Sequence, residues 1–204
     1  MEDKRMKVLV ILAHPNRASF NHAIASTCSD ALTANGHTVV FHDLYQERFD
    51  PVLPYSEFTR DAVLEDDIAR HCNELSQADG IIVVHPNWWG QPPAVLKGWV
   101  DRVIRPGVAY EFQEGDTGEG VPCGLLKAKC ALIFNTSNTE TARERSVFGD
   151  PLESIWKKCI FDLCGTQSIH RRMFNIIVTS SDADRKEWLS EVRATTQRLF
   201  PRIT

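Results

Sequence analysis

Residues 8–13 read VLVILA, six apolar side chains in succession that run directly into His14-Pro15-Asn16. A strand with one wet face alternates apolar and polar residues, whereas a continuous run bounded by a turn is the pattern of a strand covered on both sides. Four further stretches are run-like in the same way: TVVFHDL at 38–44, GIIVVH at 80–85, CALIFN at 130–135 and MFNIIV at 173–178. Segments of helical period lie between them. Phe20, Ile24, Cys28, Ala31 and Leu32 form a stripe closed by Asn35-Gly36, and a second helix with a solvated acidic face is expected over 61–75. Val95, Leu96, Trp99, Val100 and Val103 follow Pro92-Pro93, and Asp150-Pro151-Leu152-Glu153 reads as a capped helix start leading to Ile155, Trp156, Cys159 and Ile160. Trp188, Leu189, Val192 and Leu199 mark a last helix. Strand and helix alternating in this way predict a doubly wound α/β domain built on a parallel sheet, a single domain over residues 1–204. Two stretches interrupt the alternation, 45–54 with two prolines and the acidic, glycine-rich EGDTGEG at 114–120.

Composition narrows the function classes. The chain is 43% hydrophobic and 25% charged, which is ordinary for a globular protein and far from the signature of disorder. With 23 basic against 27 acidic residues, no large cationic face is available, so nucleic acid is excluded as an expected partner. The six cysteines form no CxxC pair and no Cys/His group has zinc-ligand spacing; they are expected to be small buried hydrophobes in a reducing compartment, and no metal site is read. The apolar run after Lys4, Arg5 and Lys7 is too short for a secretory signal. No stretch has the length needed to span a bilayer. A cytoplasmic protein without membrane insertion is the expectation.

In an open α/β sheet, ligands bind beyond the carboxyl ends of the strands. Three loops there carry chemistry. AHPNRASFNHAI, 13–24, lacks both GxGxxG and GxxxxGK[ST], yet it offers a helix N-terminus near Ser19, the Asn21 amide, and His14 and Arg17 as cations, which together make an anion cradle without glycines. HPNWWGQPPAVLKGW, 85–99, traps Trp88 and Trp89 between prolines as a stiff aromatic wall. FNTSNTET, 134–141, is a loop of small polar residues suited to the edge of a planar ligand. A cradle, an aromatic plate and a polar edge on one sheet point to a phosphorylated planar cofactor such as a flavin.

At these residues, and at PPAVLKGWVDRV (92–103) and PGVAYEF (106–112), the chain resembles the DT-diaphorase-like NAD(P)H:quinone oxidoreductase family of flavodoxin-like flavoproteins. The resemblance implies a five-stranded sheet of order 2-1-3-4-5. It gives His14, Arg17, Ser19, Phe20, Asn21 and Ala23 to the flavin phosphates, and Pro86, Asn87, Trp88 and Trp89 to the ring. Thr136, Ser137, Asn138 and Thr139 would meet the ring's polar end, while Tyr110 and Phe112, with Trp89, would line the substrate pocket completed across a homodimer. It also implies NAD(P)H as electron donor and a quinone-like acceptor, and the Ser19-Phe20-Asn21 match favours FAD over FMN. The chain departs from the family after the fourth strand. The family's Tyr and His are missing, with Phe148 where the His is expected, and Asn138 and Thr139 replace glycines. Backbone N–H groups of Ser137, Asn138 and Thr139, helped by Arg143 or Arg145, are the expected stabilisers of charge on the reduced ring. Other relatives of such proteins suggest the alternatives of a regulatory flavin-binding subunit of a potassium efflux system or a flavodoxin-type electron carrier.

Overall fold

The computed structural model describes residues 5–113, 115 and 120–203. The five apolar runs become β1 (Lys7–Leu12), β2 (Thr38–Asp43), β3 (Gly80–Pro86), β6 (Cys130–Ser137) and β7 (Ser168–Asn175), with a two-residue pair β4 (Tyr110–Glu111) and β5 (Cys123–Gly124) set apart from them. The main sheet has the order β2-β1-β3-β6-β7, with every pairing parallel, which is the expected 2-1-3-4-5. Most of the acidic segment 114–120 lies outside the described residues.

The continuous apolar runs arise because each central strand feeds two cores. Leu9 and Ile11 of β1, Ile81 and Val83 of β3, and Ala131 and Ile133 of β6 point to one face. Val8, Val10, Leu12, Ile82, Val84, Leu132 and Phe134 point to the other. The first face is covered by α2 (Asp66–Gln77), α3 (Ala94–Val103) and α5 (Pro151–Ser154) with its continuation, the second by α1 (Phe20–Ala34) and α6 (Asp182–Leu199). Each fully buried Leu, Ile or Val contributes about 1.5–3 kcal/mol, so these two cores dominate stability. No helix among the described residues is long and apolar enough to cross a membrane.

Five expectations are corrected. The last strand is Ser168–Asn175 and not 173–178. It is an edge strand, which tolerates His170, Arg171 and Arg172, and Ile176 breaks it by adopting a left-handed φ of 59°. The second helix begins at Asp66, five residues later than read. The polar run 134–141 is not all loop: β6 extends to Ser137, and an unexpected charged helix, α4 (Thr141–Phe148), starts at its far end. The start at Asp150 does form α5 (Pro151–Ser154), continued by a π-wound stretch Ile155–Asp162, but Asp150 makes no capping bond, because its carboxylate and that of Glu153 turn to Arg171 Nη1 at 2.9 and 3.1 Å. The cysteines are all free, yet only Cys28, Cys72 and Cys164 are buried, while Cys123 and Cys159 are exposed.

Two buried polar assemblies hold the site end of the sheet. His85, on the last turn of β3, is fully enclosed; its Nε2 accepts from Trp156 Nε1 at 2.9 Å and from Asn135 Nδ2 at 2.8 Å, leaving Nδ1–H to donate to Pro86 O at 2.8 Å. The Asn135 amide oxygen accepts from Arg171 Nε at 2.6 Å, so the network ties β3, β6, β7 and the π-wound stretch together. Elsewhere, Arg102 of α3 is buried against Glu57 and donates to Asp50 O at 2.8 Å, pinning the 45–54 loop. Gly98, one turn earlier, lets that loop lie against the helix, because a Cβ there would overlap the Pro51 backbone.

Two measurements check this scaffold. Gly98→Ala gains about 1 kcal/mol of helix propensity but must push back the loop, and a net loss near 2 kcal/mol is expected in denaturant unfolding; a stabilised variant would contradict the contact. Burial, reinforced by the nearby Arg171 charge, depresses His85 to a pKa of about 3. Its folded value lies below the unfolded value of about 6.5, so its stabilising contribution is complete above pH 6.5 and declines toward pH 3 by up to about 1.4 kcal/mol per unit. His42, raised by Glu47 and Glu74 despite burial, acts in the opposite sense. Unfolding titrations of His85→Asn should therefore show a flatter loss of stability between pH 6 and 4.5 than the parent, and equal slopes would refute the assignment.

Candidate functional site

The parallel register sets the three loops side by side. Leu12 of β1 lies opposite Val84 of β3, and Pro86 of β3 opposite Thr136 of β6, so the chain leaves three neighbouring strands on one rim. After β1, Ala13 N donates to Val84 O at 3.0 Å, and the chain then turns through Asn16, whose side-chain oxygen accepts from Ala18 N at 2.9 Å. Ser19 caps α1, its hydroxyl accepting from His22 N at 3.3 Å. The N–H groups of the first helical turn and the positive end of the helix dipole therefore face the rim.

His14, Ser19, Phe20, Asn21, Pro86, Asn87, Trp88, Thr136, Ser137 and Asn138 all line one cavity of about 300 Å³ at that rim. A second cavity of about 530 Å³ adjoins it through Asn87, Ser137 and Asn138 and is walled by Trp89, Gly90, Thr139, Glu144, Phe148 and Pro151. The three loops singled out in the sequence thus converge. The Asn21 amide, buried in the first cavity's wall, donates through Nδ2 to Thr136 Oγ1 at 2.9 Å, but its oxygen has no partner among the described residues. A buried amide end left in this state costs about 1–3 kcal/mol, which a polar group of a bound ligand would recover.

Trp89 is held in a strained turn. Its φ is 57°, that of Gly90 is 72°, and the turn is closed by paired bonds between Trp88 and Gln91 at 3.1 and 3.0 Å. A left-handed tryptophan costs of order 1 kcal/mol or more, and here the outcome is a fully exposed indole standing over the larger cavity. Asn87 fixes the turn's base: its N–H donates to Thr136 O at 2.7 Å, its amide oxygen accepts from Gly90 N at 3.0 Å, and its amide nitrogen donates to Glu144 Oε1 at 3.0 Å. On the opposite wall, Ser137 Oγ accepts from Thr139 N at 3.1 Å, and Asn138 Oδ1 accepts from Val178 N at 3.0 Å.

Other expected residues stand elsewhere. Arg17 is exposed and lines neither cavity, and Ala23 packs into the core beneath α1. Phe20 reaches the cavity but is mainly a core residue, edge-on to Phe174 at 6.0 Å. Arg143 and Arg145 are exposed; the Arg143 guanidinium lies 5.6 Å from the Phe148 ring centre, outside the cavity wall, while Glu144 between them is the buried one. Tyr110 and Phe112 line a separate apolar groove of about 560 Å³ with Ile104, Cys159 and Leu163. The reading also missed Arg185, which lines the first cavity with Ile177 and Val178 and is steadied by Ser180 Oγ at 2.9 Å and Ile177 O at 3.1 Å. Nothing local in the sequence signals it, since α6 returns to this rim only through the tertiary fold.

Among the described residues, one His/Glu group has metal-like proximity: ligand atoms of His42, His71 and Glu74 lie within 4.8 Å of one another. Its protons are otherwise committed. His42 bridges Glu47 at 2.9 Å and Glu74 at 2.6 Å through its two nitrogens. His71 Nδ1 accepts from the buried Trp99 Nε1 at 3.2 Å, so the His71 proton sits on Nε2, the nitrogen a metal would need. The group is an ion-pair hub anchoring α2 to β2.

Sequence and structure comparisons agree with this architecture. An NAD(P)H oxidoreductase of Haemophilus influenzae, itself uncharacterized, is 34% identical over 197 residues, covering 94% of this chain and 95% of the relative. The human ribosyldihydronicotinamide dehydrogenase [quinone] is 29% identical over 216 residues, covering 95% and 90%. A crystal structure from Streptococcus mutans UA159, 31% identical, superposes with a TM-score of 0.82 over 95% of this chain and all of its own. The profile of the flavodoxin-like fold family matches residues 6–198, and with that match the chain belongs to this family.

Proposed function

We propose that the protein is an NAD(P)H-dependent flavin oxidoreductase that passes two electrons to a quinone-like acceptor. The observation carrying this reading is the joining of two cavities on one sheet rim, one with an anion cradle and a buried amide oxygen without a partner among the described residues, the other with an exposed indole facing a polar edge. The names of the oxidoreductase and quinone-dehydrogenase relatives support it, and they favour an enzyme over a regulatory subunit or a simple electron carrier. A bound flavin would supply hydride acceptance from nicotinamide and two-electron delivery to the acceptor.

The protein's part is positioning and electrostatics. Ser19, Asn21, His14 and Arg185 would hold the phosphate end, with the α1 N-terminus adding its partial positive charge. Trp88, Trp89, Pro86 and Asn87 would hold the ring, and N–H groups of Ser137, Asn138 and Thr139 would stabilise the negative charge of its reduced form. Thr136 would orient Asn21. Arg185 lines the first cavity in addition to His14, a further cation for a second phosphate, and this supports FAD over FMN. Tyr110 and Phe112, remote from both cavities within one chain, would complete the substrate pocket from a second copy of the chain in a homodimer. A cytoplasmic setting agrees with this use of nicotinamide. Donor and acceptor taking turns at one ring give ping-pong kinetics.

The mass of the chromophore released from purified protein should be that of FAD, and its absorbance should bleach anaerobically with NADH or NADPH; a colourless protein that takes up no flavin would refute the reading. Asn21→Ala should weaken flavin binding about tenfold, the ~1.4 kcal/mol of one buried hydrogen bond, measured by fluorescence titration. Arg143, stacked on a cavity-lining ring, would act only through its field: Arg143→Ala should slow reduction about threefold, the ~0.6 kcal/mol of an exposed charge, and an unchanged rate removes it from the mechanism.

A further inference from the structure

The anion cradle contains a chain of hydrogen bonds that the flavin reading leaves unexplained. Ser19 Oγ lies 3.0 Å from His22 Nδ1, and His22 Nε2 lies 2.9 Å from Asp43 Oδ2. Asp43, at the end of β2, also accepts from Tyr45 N and Gln46 N, each at 3.2 Å. Resting on the flavin reading, we propose that binding of a ligand's phosphate group at Ser19 is coupled to uptake of one proton by His22, which makes His22 a positioning residue for the cradle.

The argument is one of counting hydrogens. A carboxylate only accepts, so Asp43 fixes a proton on His22 Nε2. In the neutral ring Nδ1 then carries a lone pair, and the Ser19 hydroxyl must spend its single hydrogen on it. Ser19 Oγ already accepts from His22 N at 3.3 Å, so toward the cavity it presents only a lone pair, which repels a phosphate oxygen. Protonation of Nδ1 reverses the bond: the imidazolium donates to Ser19 Oγ, and the hydroxyl hydrogen swings to the anion. The proton comes from solvent, and no covalent bond in the ligand changes. The charged groups next to His22 are Asp43 from β2 and His14 from the β1 loop, whose ring centre is 6.3 Å away and edge-on; Arg185 from α6 lines the cavity that Ser19 and His14 line. Asp43 favours the charged ring, while His14 and Arg185 limit how much positive charge the empty cradle tolerates. An incoming anion relieves that limit, so ligand and proton bind together.

The test uses flavin-free protein and FAD, whose pyrophosphate does not titrate near neutrality. Calorimetric titration at one pH in PIPES and in Tris, buffers of different ionisation enthalpy, reads proton uptake directly, and repeats from pH 6 to 9 read the dissociation constant. Uptake approaching one proton per FAD, and affinity falling by up to about tenfold per pH unit on the alkaline side, are expected. His22→Gln should still bind FAD, without proton uptake and with a flat pH profile. Ser19→Ala, which removes the relaying hydroxyl together with a helix cap, should bind more weakly and also lose the coupling. FAD binding without proton uptake by the parent, or uptake that persists in both variants, overturns the proposal while leaving the flavin reading intact. Failure of the parent to bind either FAD or FMN at any pH overturns both.

Discussion

The structure depends on the in-register parallel pairing of β1, β3 and β6. These strands are buried on both faces, so a slip of one residue would exchange the two cores side chain for side chain, and each is locked by apolar residues of matching parity. Because the register is fixed, the strands end together at Leu12, Pro86 and Ser137, and the loops that follow have no freedom to separate. The site is a consequence of where the core stops.

Apolar packing alone does not hold the rim in shape. His85 is kept neutral by its surroundings and takes its hydrogen bonds from Trp156 and Asn135, while Arg171, enclosed by Asp150 and Glu153, carries the connection to the edge strand. The bonds made by His85, Asn135 and Arg171 favour one arrangement of the loops above, although Asp150 Oδ1 in the same network has no partner among the described residues. Two costly features lie at the cavities, the left-handed Trp89 and the Asn21 oxygen; Arg48, Asp150 and Ile176 are left-handed as well, and Asp150 Oδ1 and Thr166 Oγ1 also lack a partner among the described residues.

What was legible in the sequence follows from the same physics. Unbroken runs such as VLVILA disclose strands covered on both faces, and the parallel sheet then dictates which loops meet, so most residues of the first cavity were readable. The edge strand was misplaced because its one-sided pairing admits His170, Arg171 and Arg172 where apolar residues were sought. The helix α4 has no apolar stripe to announce it, and that is why the arginines beside it were favoured over Glu144, the residue that turns inward. Arg185 reaches the cradle from the far end of the chain, a proximity created only by α6 packing against α1. The Ser19–His22–Asp43 chain also crosses two elements, and spacing in the sequence reveals only its first half.

The most direct test of the account is a crystal structure of the protein grown with FAD. The account predicts the ring in the larger cavity between Trp89 and residues 137–139, with the phosphates at Ser19 and Arg185. Flavin density seated only in the Tyr110–Phe112 groove, or both rim cavities empty at saturating FAD, would contradict it.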